Sequence, residues 1–397
     1  MKIQSLLSII SMTLIVLFCG SKDSNKNDNP FTPGGTGQTS YSITWDASSE
    51  TPIRNDASYY GRVHKLADGK ILGCYENGSD ICGKFYNGGK SWGVEFRIAK
   101  GFSVSGTTVN ACNPDFLQLS SGRILLAYNQ RTTNTEVYPY CIAITYSDDN
   151  GSTWSSPVVV YKSEKWNPNR FNGCWEPFVL EPVKGNVQIY FSDETPYCSN
   201  TAGDVFQNIS VIESDPTCAK WSSPRVVSYS NGSRDGMPSA TVYKDNIYVA
   251  IEDNSKGNFH PMIVMGPVSN SWSSSVGGSS SNRFNPIKFT IPSTTYAGAP
   301  YLIQTDDYFV LSYQDGTGSK DASSLNNATM KVVFCPKSEV ENGQFKSMSW
   351  GSTPFSIDQT NNAVLWNSLC DLGGNKIMAV GTVGGKVCTK IGTITKQ

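Results

Sequence analysis

Histidine is almost missing from this chain, with only His64 and His260 among 397 residues. Two histidines and cysteines without metal-ligand spacing argue against a catalytic zinc, and neither a metal nor another cofactor is expected. Charge is scarce as well: Asp, Glu, Lys and Arg make up 16% of the residues and the net charge is -1. That composition offers no basic surface for a polyanion, so nucleic acid is not an expected partner. Beyond the N-terminal segment no stretch sustains an apolar period of 3.6 residues, which leaves little room for helices. What is plentiful is turn material and aromatic surface, with 36 glycines, 20 prolines and 11% aromatics. Many short strands joined by tight turns are the natural reading.

The sharpest local pattern is YSDDNGSTWSSP, from Tyr146 to Pro157. Ser147, Asp149, Gly151, Thr153 and Trp154 follow S-x-D-x-G-x-T-W, the Asp-box. Short polar side chains can bond turn amides, glycine admits a positive φ, and the indole can wedge between sheets. Weaker echoes end at Trp92, Trp221 and Trp272. Upstream of these turns a second signature recurs, a polar residue and often a proline, then strand, turn and strand. Its copies begin near Tyr60, Asn113, Glu176, Met237, Ala299 and Val364, about 60 residues apart. Six such units suit four-stranded antiparallel blades in an all-β, six-bladed propeller spanning residues 40–397. The last unit runs out of chain after KVCTKIGTI, while the run YSITW at Tyr41–Trp45 is unused. The N-terminal strand is therefore expected to close the ring and remove its exposed edges. One fold absorbs the whole repeat, and a monomer is expected.

Residues 1–19, MKIQSLLSIISMTLIVLFC, combine an early lysine with an apolar run ending at Cys19. An export signal is expected rather than a working transmembrane helix. It resembles a lipoprotein signal in which Cys19 becomes lipidated, although Phe18 stands where a small residue is usual; an ordinary secretory signal is the alternative. The polar segment 20–39 then reads as a flexible tether. The expected address is the cell envelope, periplasmic or outer-surface, and the membrane is touched only through a lipid anchor. Removing Cys19 leaves ten of the 11 cysteines in an exported chain. Some disulfides are expected on that ground, with small buried thiols as the alternative.

In an antiparallel blade the inner strand starts at the face where the second strand ends, and the Asp-box turn lies at the opposite face. Chemistry is therefore sought at the first face. The positions there are Arg62 and Glu76; Asn113, Asp115, Asn129 and Arg131; Trp175, Glu176, Asp193 and Glu194; Arg234, Asp235, Glu252 and Asp253; Tyr301, Tyr313 and Asp315; Trp366 and Asn367. Glu176, in GCWEPF, and Glu252, in YVAIEDN, stand out because adjacent units would aim both into one funnel. Paired carboxylates are what glycoside hydrolysis requires, one to protonate the leaving oxygen and one to attack the anomeric carbon or activate water. Arg62, Asn113, Asp115, Arg131, Trp175, Arg234, Asp235, Tyr301 and Tyr313 are the candidate substrate-binding residues. Rings could stack on sugar faces and arginines could orient hydroxyls or an acidic sugar. The plain alternative is that the acids satisfy loop amides or pair with arginines.

The segments NPDFLQLSSGRILLAYNQR, NGCWEPFVLEP, IYFSDETPY, SRDGMPSATVY and IEDN, together with the Asp-box, resemble the sialidase-like (BNR-repeat) six-bladed propellers of Bacteroidota. They are also similar to the glycoside hydrolase family 93 exo-α-L-arabinanases. The resemblance implies a retaining, exo-acting enzyme on arabinan-like oligosaccharides, with Glu176 as nucleophile and Glu252 as acid/base. The chain departs from exo-sialidases, because Arg54 is followed by Asn55 and Asp56, APYLIQ lacks an arginine, and Trp366 stands where a tyrosine would be sought. Exo-α-sialidase is thus the second enzyme reading. A non-catalytic glycan-binding propeller and an adhesion role are the readings from other classes.

Overall fold

A computed structural model describes residues 40–164, 173–197, 206–341, 343–345, 348–356 and 363–397. The expected signal, its Cys19 and the tether at 20–39 lie outside the described residues. Among those described there is no α-helix, only strands and short 3-10 turns. The strands form six antiparallel blades around a central axis, as the repeat requires.

Blade 1 comprises Tyr59–Lys65, Ile71–Asn77, Asp80–Gly88 and Phe96–Ala99, with the short Ser91–Trp92 also on its third strand. Blade 2 comprises Thr107–Gln118, Ile124–Thr132, Cys141–Ser147 and Val158–Lys162, and Phe102–Val104 adds a fifth strand beside the inner one. Blade 3 runs through Cys174–Val183, Asn186–Asp193, Asn208–Ser214 and Arg225–Ser228; blade 4 through Asp235–Tyr243, Asn246–Asp253, His260–Pro267 and Arg283–Phe284. Blade 5 is Tyr301–Gln304, Tyr308–Asp315, Thr329–Pro336 and Trp350–Ser352. Blade 6 takes Val364–Gly373, Lys376–Val383 and Lys386–Lys396 from the C-terminus and its outer strand, Tyr41–Trp45, from the N-terminus.

That seam runs in continuous register from Tyr41 opposite Lys396 to Trp45 opposite Gly392. Trp45 Nε1 donates to Ser352 Oγ at 2.7 Å, and Tyr41 packs edge-on against Tyr308 and Trp350 of blade 5. The first strand thus bonds its own blade and packs on the neighbouring one. Apolar residues alternating along the second and third strands fill the spaces between blades. One cluster, including Tyr190, Val249, Trp272, Val310, Phe334 and Ile377, spans blades 3 to 6. Burial of such faces is the main source of the ring's stability.

The turn at Ser147–Trp154 shows why the motif has its order. Ser147 Oγ donates to Asp149 Oδ1 and accepts from the Gly151 amide, while Asp149 accepts from both the amide and hydroxyl of Thr153. These donors hold the Asp149 carboxyl down at about 2. Gly151 adopts φ 85°, which frees Trp154 to pack with Phe85 and Phe96 between blades 1 and 2. In the echo ending at Trp221, Cys218 takes the positive φ and its carbonyl accepts from the indole, matching the Gly151–Trp154 bond.

The disulfides expected from the cysteine count are not formed among the described residues. Nine cysteines are free, and all but Cys388 are fully buried. They lie along strands or in a tight turn, most of them in apolar interblade clusters: Cys74 between blades 1 and 2, Cys174 and Cys218 together in the cluster of blades 2 and 3, and Cys335 between blades 4 and 5. There they serve as small apolar side chains, with burial pushing the thiols of Cys74, Cys174 and Cys335 upward.

Candidate active site

Each inner strand enters the funnel through one residue in the left-handed backbone region. Tyr60, Asn113, Glu176, Met237, Ala299 and Trp366 have φ between 47° and 54°, one in every blade. A non-glycine residue there costs of order 1–3 kcal/mol. In five blades the strain accompanies a break in strand register, so the bulge re-aims the side chain at the funnel. Opposite the residue preceding each bulge stands one position near the end of the second strand: Glu76, Asn129, Ser192, Glu252, Gln314 and Thr382. Five of these six latch the next blade, Asn129 by donating to the Cys174 carbonyl at 2.6 Å and the other four by accepting from the next bulge amide. Glu76 accepts from the Asn113 amide at 2.7 Å, Ser192 from Met237 at 3.0 Å, Glu252 from Ala299 at 2.8 Å and Gln314 from Trp366 at 3.4 Å.

Glu176 and Glu252 come from these two classes of position on adjacent blades. Glu176 is a bulge residue of blade 3 and Glu252 a latch of blade 4, and Glu252 feels the charge of Glu176. Glu176 Oε2 accepts from the Met237 amide at 3.2 Å and from Ser192 Oγ at 3.3 Å. Its Oε1 receives no protein donor among the described residues. Glu252 Oε2 holds the Ala299 amide, and its carboxylate lies against two glycines. A Cβ on Gly236 would come within 3.0 Å of Oε1, and one on Gly298 within 2.6 Å of both Oε2 and the Tyr296 hydroxyl.

The two carboxyls are tuned apart. Burial, then the like charge of Glu176, pushes Glu252 up to about 7. Burial raises Glu176 as well, but the guanidinium groups of Arg234 and Arg131 oppose that rise. Neither glutamate forms an ion pair among the described residues. Arg234 instead reaches Glu194 at 3.6 Å and Gln207 at 3.2 Å, with its side chain 30% exposed. Arg131 stands exposed at the rim, 5.2 Å above the Trp175 ring, which packs in turn on Tyr140. Glu176, Glu252, Arg131, Trp175 and Arg234 are thus gathered on one sector of the funnel, with Asn113 on blade 2 beside Glu76.

Other expected binding residues serve the scaffold. Arg62 is 5% exposed, sandwiched by the rings of Tyr60 and Tyr301 at 4.1 and 5.1 Å and facing Asp115 at 3.8 Å. Asp115 also accepts from the Val179 amide and the Tyr301 hydroxyl. Arg62, Asp115 and Tyr301 therefore bolt the inner strands together, while Tyr60, Met237, Ala299 and Trp366 pack above them as an apolar floor. Asp235 is fully buried and shares Arg283 with Asp253. Tyr313 is also fully buried, among Phe309, Leu311 and Val333. Strand alternation sends it outward and gives the funnel position to Gln314, one residue later. Asp193 and Asp315 satisfy loop amides at Thr195 and Thr317, the plain alternative for such acids. Sequence reasoning missed Gln207, Tyr296 and the glycine pair Gly236 and Gly298. No local pattern distinguishes them, because their roles depend on packing across blades.

No family model matches this chain, and no curated protein matches it. Solved structures do. The family 93 α-L-arabinofuranosidase of Fusarium graminearum, in complex with arabinobiose, has a TM-score of 0.60 at 18% identity, covering 87% of this chain and 97% of that one. An α-L-arabinanase of Penicillium chrysogenum, also with arabinobiose, has a TM-score of 0.59 at 16% identity over 88% and 98%. A Hadza microbial sialidase gives 0.55 at 11% identity over 84% and 65%. The chain folds as a sialidase-like propeller resembling those of family 93. At these identities the likeness is one of fold, and the residues of this chain must carry the chemistry.

Proposed function

We propose that this protein is a glycoside hydrolase, exo-acting and retaining, with arabinan-like oligosaccharides as its substrate class. The observation that carries the reading is the pair of interacting carboxyls with divergent environments. Glu252, raised to about 7, is suited to remain protonated and deliver its proton to the leaving oxygen. Glu176, opposite two guanidinium groups and with Oε1 free, is suited to attack the anomeric carbon. In the first step Glu176 attacks the anomeric carbon while the glycosidic carbon–oxygen bond breaks, and the leaving sugar departs as an alcohol carrying the Glu252 proton. In the second, water attacks that carbon, gives its proton to Glu252 and releases Glu176. Trp175 offers a ring for sugar stacking, and Arg131 and Arg234 offer donors to hydroxyls. The family 93 neighbours that hold arabinobiose support arabinan as the first substrate to try.

A second reading, a glycan-binding propeller without turnover, is favoured by one fact: Glu252 shares its latch role with Glu76 and Gln314. Export and lipidation at Cys19 belong to the proposal as well, checked by radiolabelled palmitate incorporation that a Cys19→Ala change abolishes. The deciding experiment incubates the purified protein with arabino-oligosaccharides, sialosides and pectic fragments while NMR follows the anomeric configuration of the product. Glu176→Gln should lower turnover by orders of magnitude with the melting temperature nearly unchanged. Binding without cleavage across all three substrates would establish the second reading, and release of sialic acid would move the substrate class.

A further inference from the structure

On the flank of the ring a groove of about 630 Å³ opens between blades 1 and 2. Its size falls within the ~300–1,000 Å³ usual for small-molecule sites. The walls are aromatic: Phe96 from the outer strand of blade 1, Phe102 and Tyr138 from blade 2, and Trp154 from the Ser147–Trp154 turn. Phe102 and Tyr138 meet edge to face at 5.4 Å, and Phe102 remains 39% exposed. The chain can place Phe102 there because Gly101 passes so close to blade 1 that a Cβ would lie 2.6 Å from the Ser79 carbonyl oxygen.

Beneath these rings the floor is polar and buried. Tyr128 and Gln130 are 1% and 5% exposed, both on the second strand of blade 2. The Tyr138 hydroxyl donates to Gln130 Oε1 at 2.7 Å, and Gln130 Nε2 donates at long range to the Tyr128 hydroxyl, 3.5 Å away. That arrangement leaves the Tyr128 O–H and one Gln130 N–H without a protein acceptor among the described residues. Buried donors left over in an aromatic groove call for a ligand that presents both acceptors and apolar faces. Sugar rings do, with hydroxyl oxygens at the edge and C–H bonds on the face. Of the two cations at the rim, Arg97 is committed to Asp80 at 2.8 Å and Lys100 stands exposed, so the salt dependence of binding separates a neutral chain from an anion.

We propose that this groove is a second glycan-binding site, holding a neutral stretch of polysaccharide on the outside of the ring. The site is separate from Glu176 and Glu252 and stands whether or not the funnel hydrolyses what it binds. In the intact protein carrying Glu176→Gln, affinity electrophoresis and calorimetry against arabinan, debranched arabinan, galactan and xylan should reveal retardation by at least one neutral polymer, unaffected by high salt. Phe102→Ala should weaken that binding roughly tenfold and Tyr138→Phe roughly threefold. With Glu176 restored, both variants should process short oligosaccharides as the unmodified protein does. Tyr138→Phe removes a single oxygen, so it decides the matter if Phe102→Ala folds poorly. Absence of retardation by every polymer, binding abolished by salt, or unchanged affinity in both variants would overturn the site. Loss of hydrolysis on all substrates with groove binding intact would instead overturn only the hydrolase proposal.

Discussion

Glu252→Gln should make the protein more stable above neutral pH while removing its activity, a combination a purely structural glutamate would not give. In the folded ring Glu252 binds its proton up to about pH 7, whereas a free glutamate releases it near 4.5. Below pH 4 both states are protonated and the group contributes no difference. As pH rises from 4.5 to 7 the unfolded chain ionises first, so the folded state progressively loses stability relative to it, and above 7 the whole penalty remains. A gap from 4.5 to about 7 corresponds to on the order of 3 kcal/mol. Glutamine carries no charge at any pH and can still accept from the Ala299 amide, the bond that Glu252 Oε2 makes at 2.8 Å. An unfolding entropy of about 2.1 cal/mol/K per residue, taken over Ser40–Gln397, converts the penalty into roughly 4 °C. Thermal melts by circular dichroism at pH 4, 6 and 8 should show the variant matching the parent at pH 4 and exceeding it at pH 8. A pH-independent difference, or a variant less stable at pH 8, would refute the reasoning that burial and Glu176 hold this carboxyl protonated.

Three other outcomes follow from the same geometry. Gly298→Ala places a methyl 2.6 Å from both Glu252 Oε2 and the Tyr296 hydroxyl, and should lower kcat by about a hundredfold with little change in melting temperature; a rate within twofold of the parent would show that the carboxyl position is immaterial. Arg283→Met leaves Asp235 and Asp253 buried without their shared cation, and urea unfolding should record a loss of about 3–5 kcal/mol. Deleting Tyr41–Trp45 strips the outer strand from blade 6 and exposes the edge of Lys386–Lys396, so light scattering should report self-association on mild heating.

The fold was legible because its signals are local and repeat. Spacing revealed six units, and a last unit lacking a strand pointed to Tyr41–Trp45 as its completion. Cysteine number and compartment did not predict disulfides, because a bond also needs matched backbone positions: Cys174 and Cys218 share one interblade cluster and still stand as free thiols. The site was legible only in part. Alternation along a strand is unforgiving, and an offset of one residue exchanged Gln314 for the buried Tyr313. Arg62 and Asp115 carry charges suited to a ligand, yet they stand two residues past their bulges, where the inner strands converge and the charges meet each other.

The repeat itself explains why two carboxylates meet in one sector. Every blade brings a strained bulge residue to the funnel, and beside it a second-strand residue that in four blades caps the next bulge amide. Five of the six second-strand positions bond the next blade, and any of them, or a bulge beside them, can acquire chemistry when its side chain exceeds what the joint requires. At the bulges the side chains are Tyr60, Asn113, Met237, Ala299 and Trp366, and only Glu176 is acidic. A carboxylate there needs no latch of its own, because Ser192 already serves the Met237 amide. Its Oε1 is consequently left without a protein donor among the described residues, and the Glu252 latch leaves one oxygen spare as well. The strain of the bulge and the burial of the latch are thus costs the scaffold bears in all blades. The carboxylate pair arises where a latch glutamate follows a bulge glutamate around the ring.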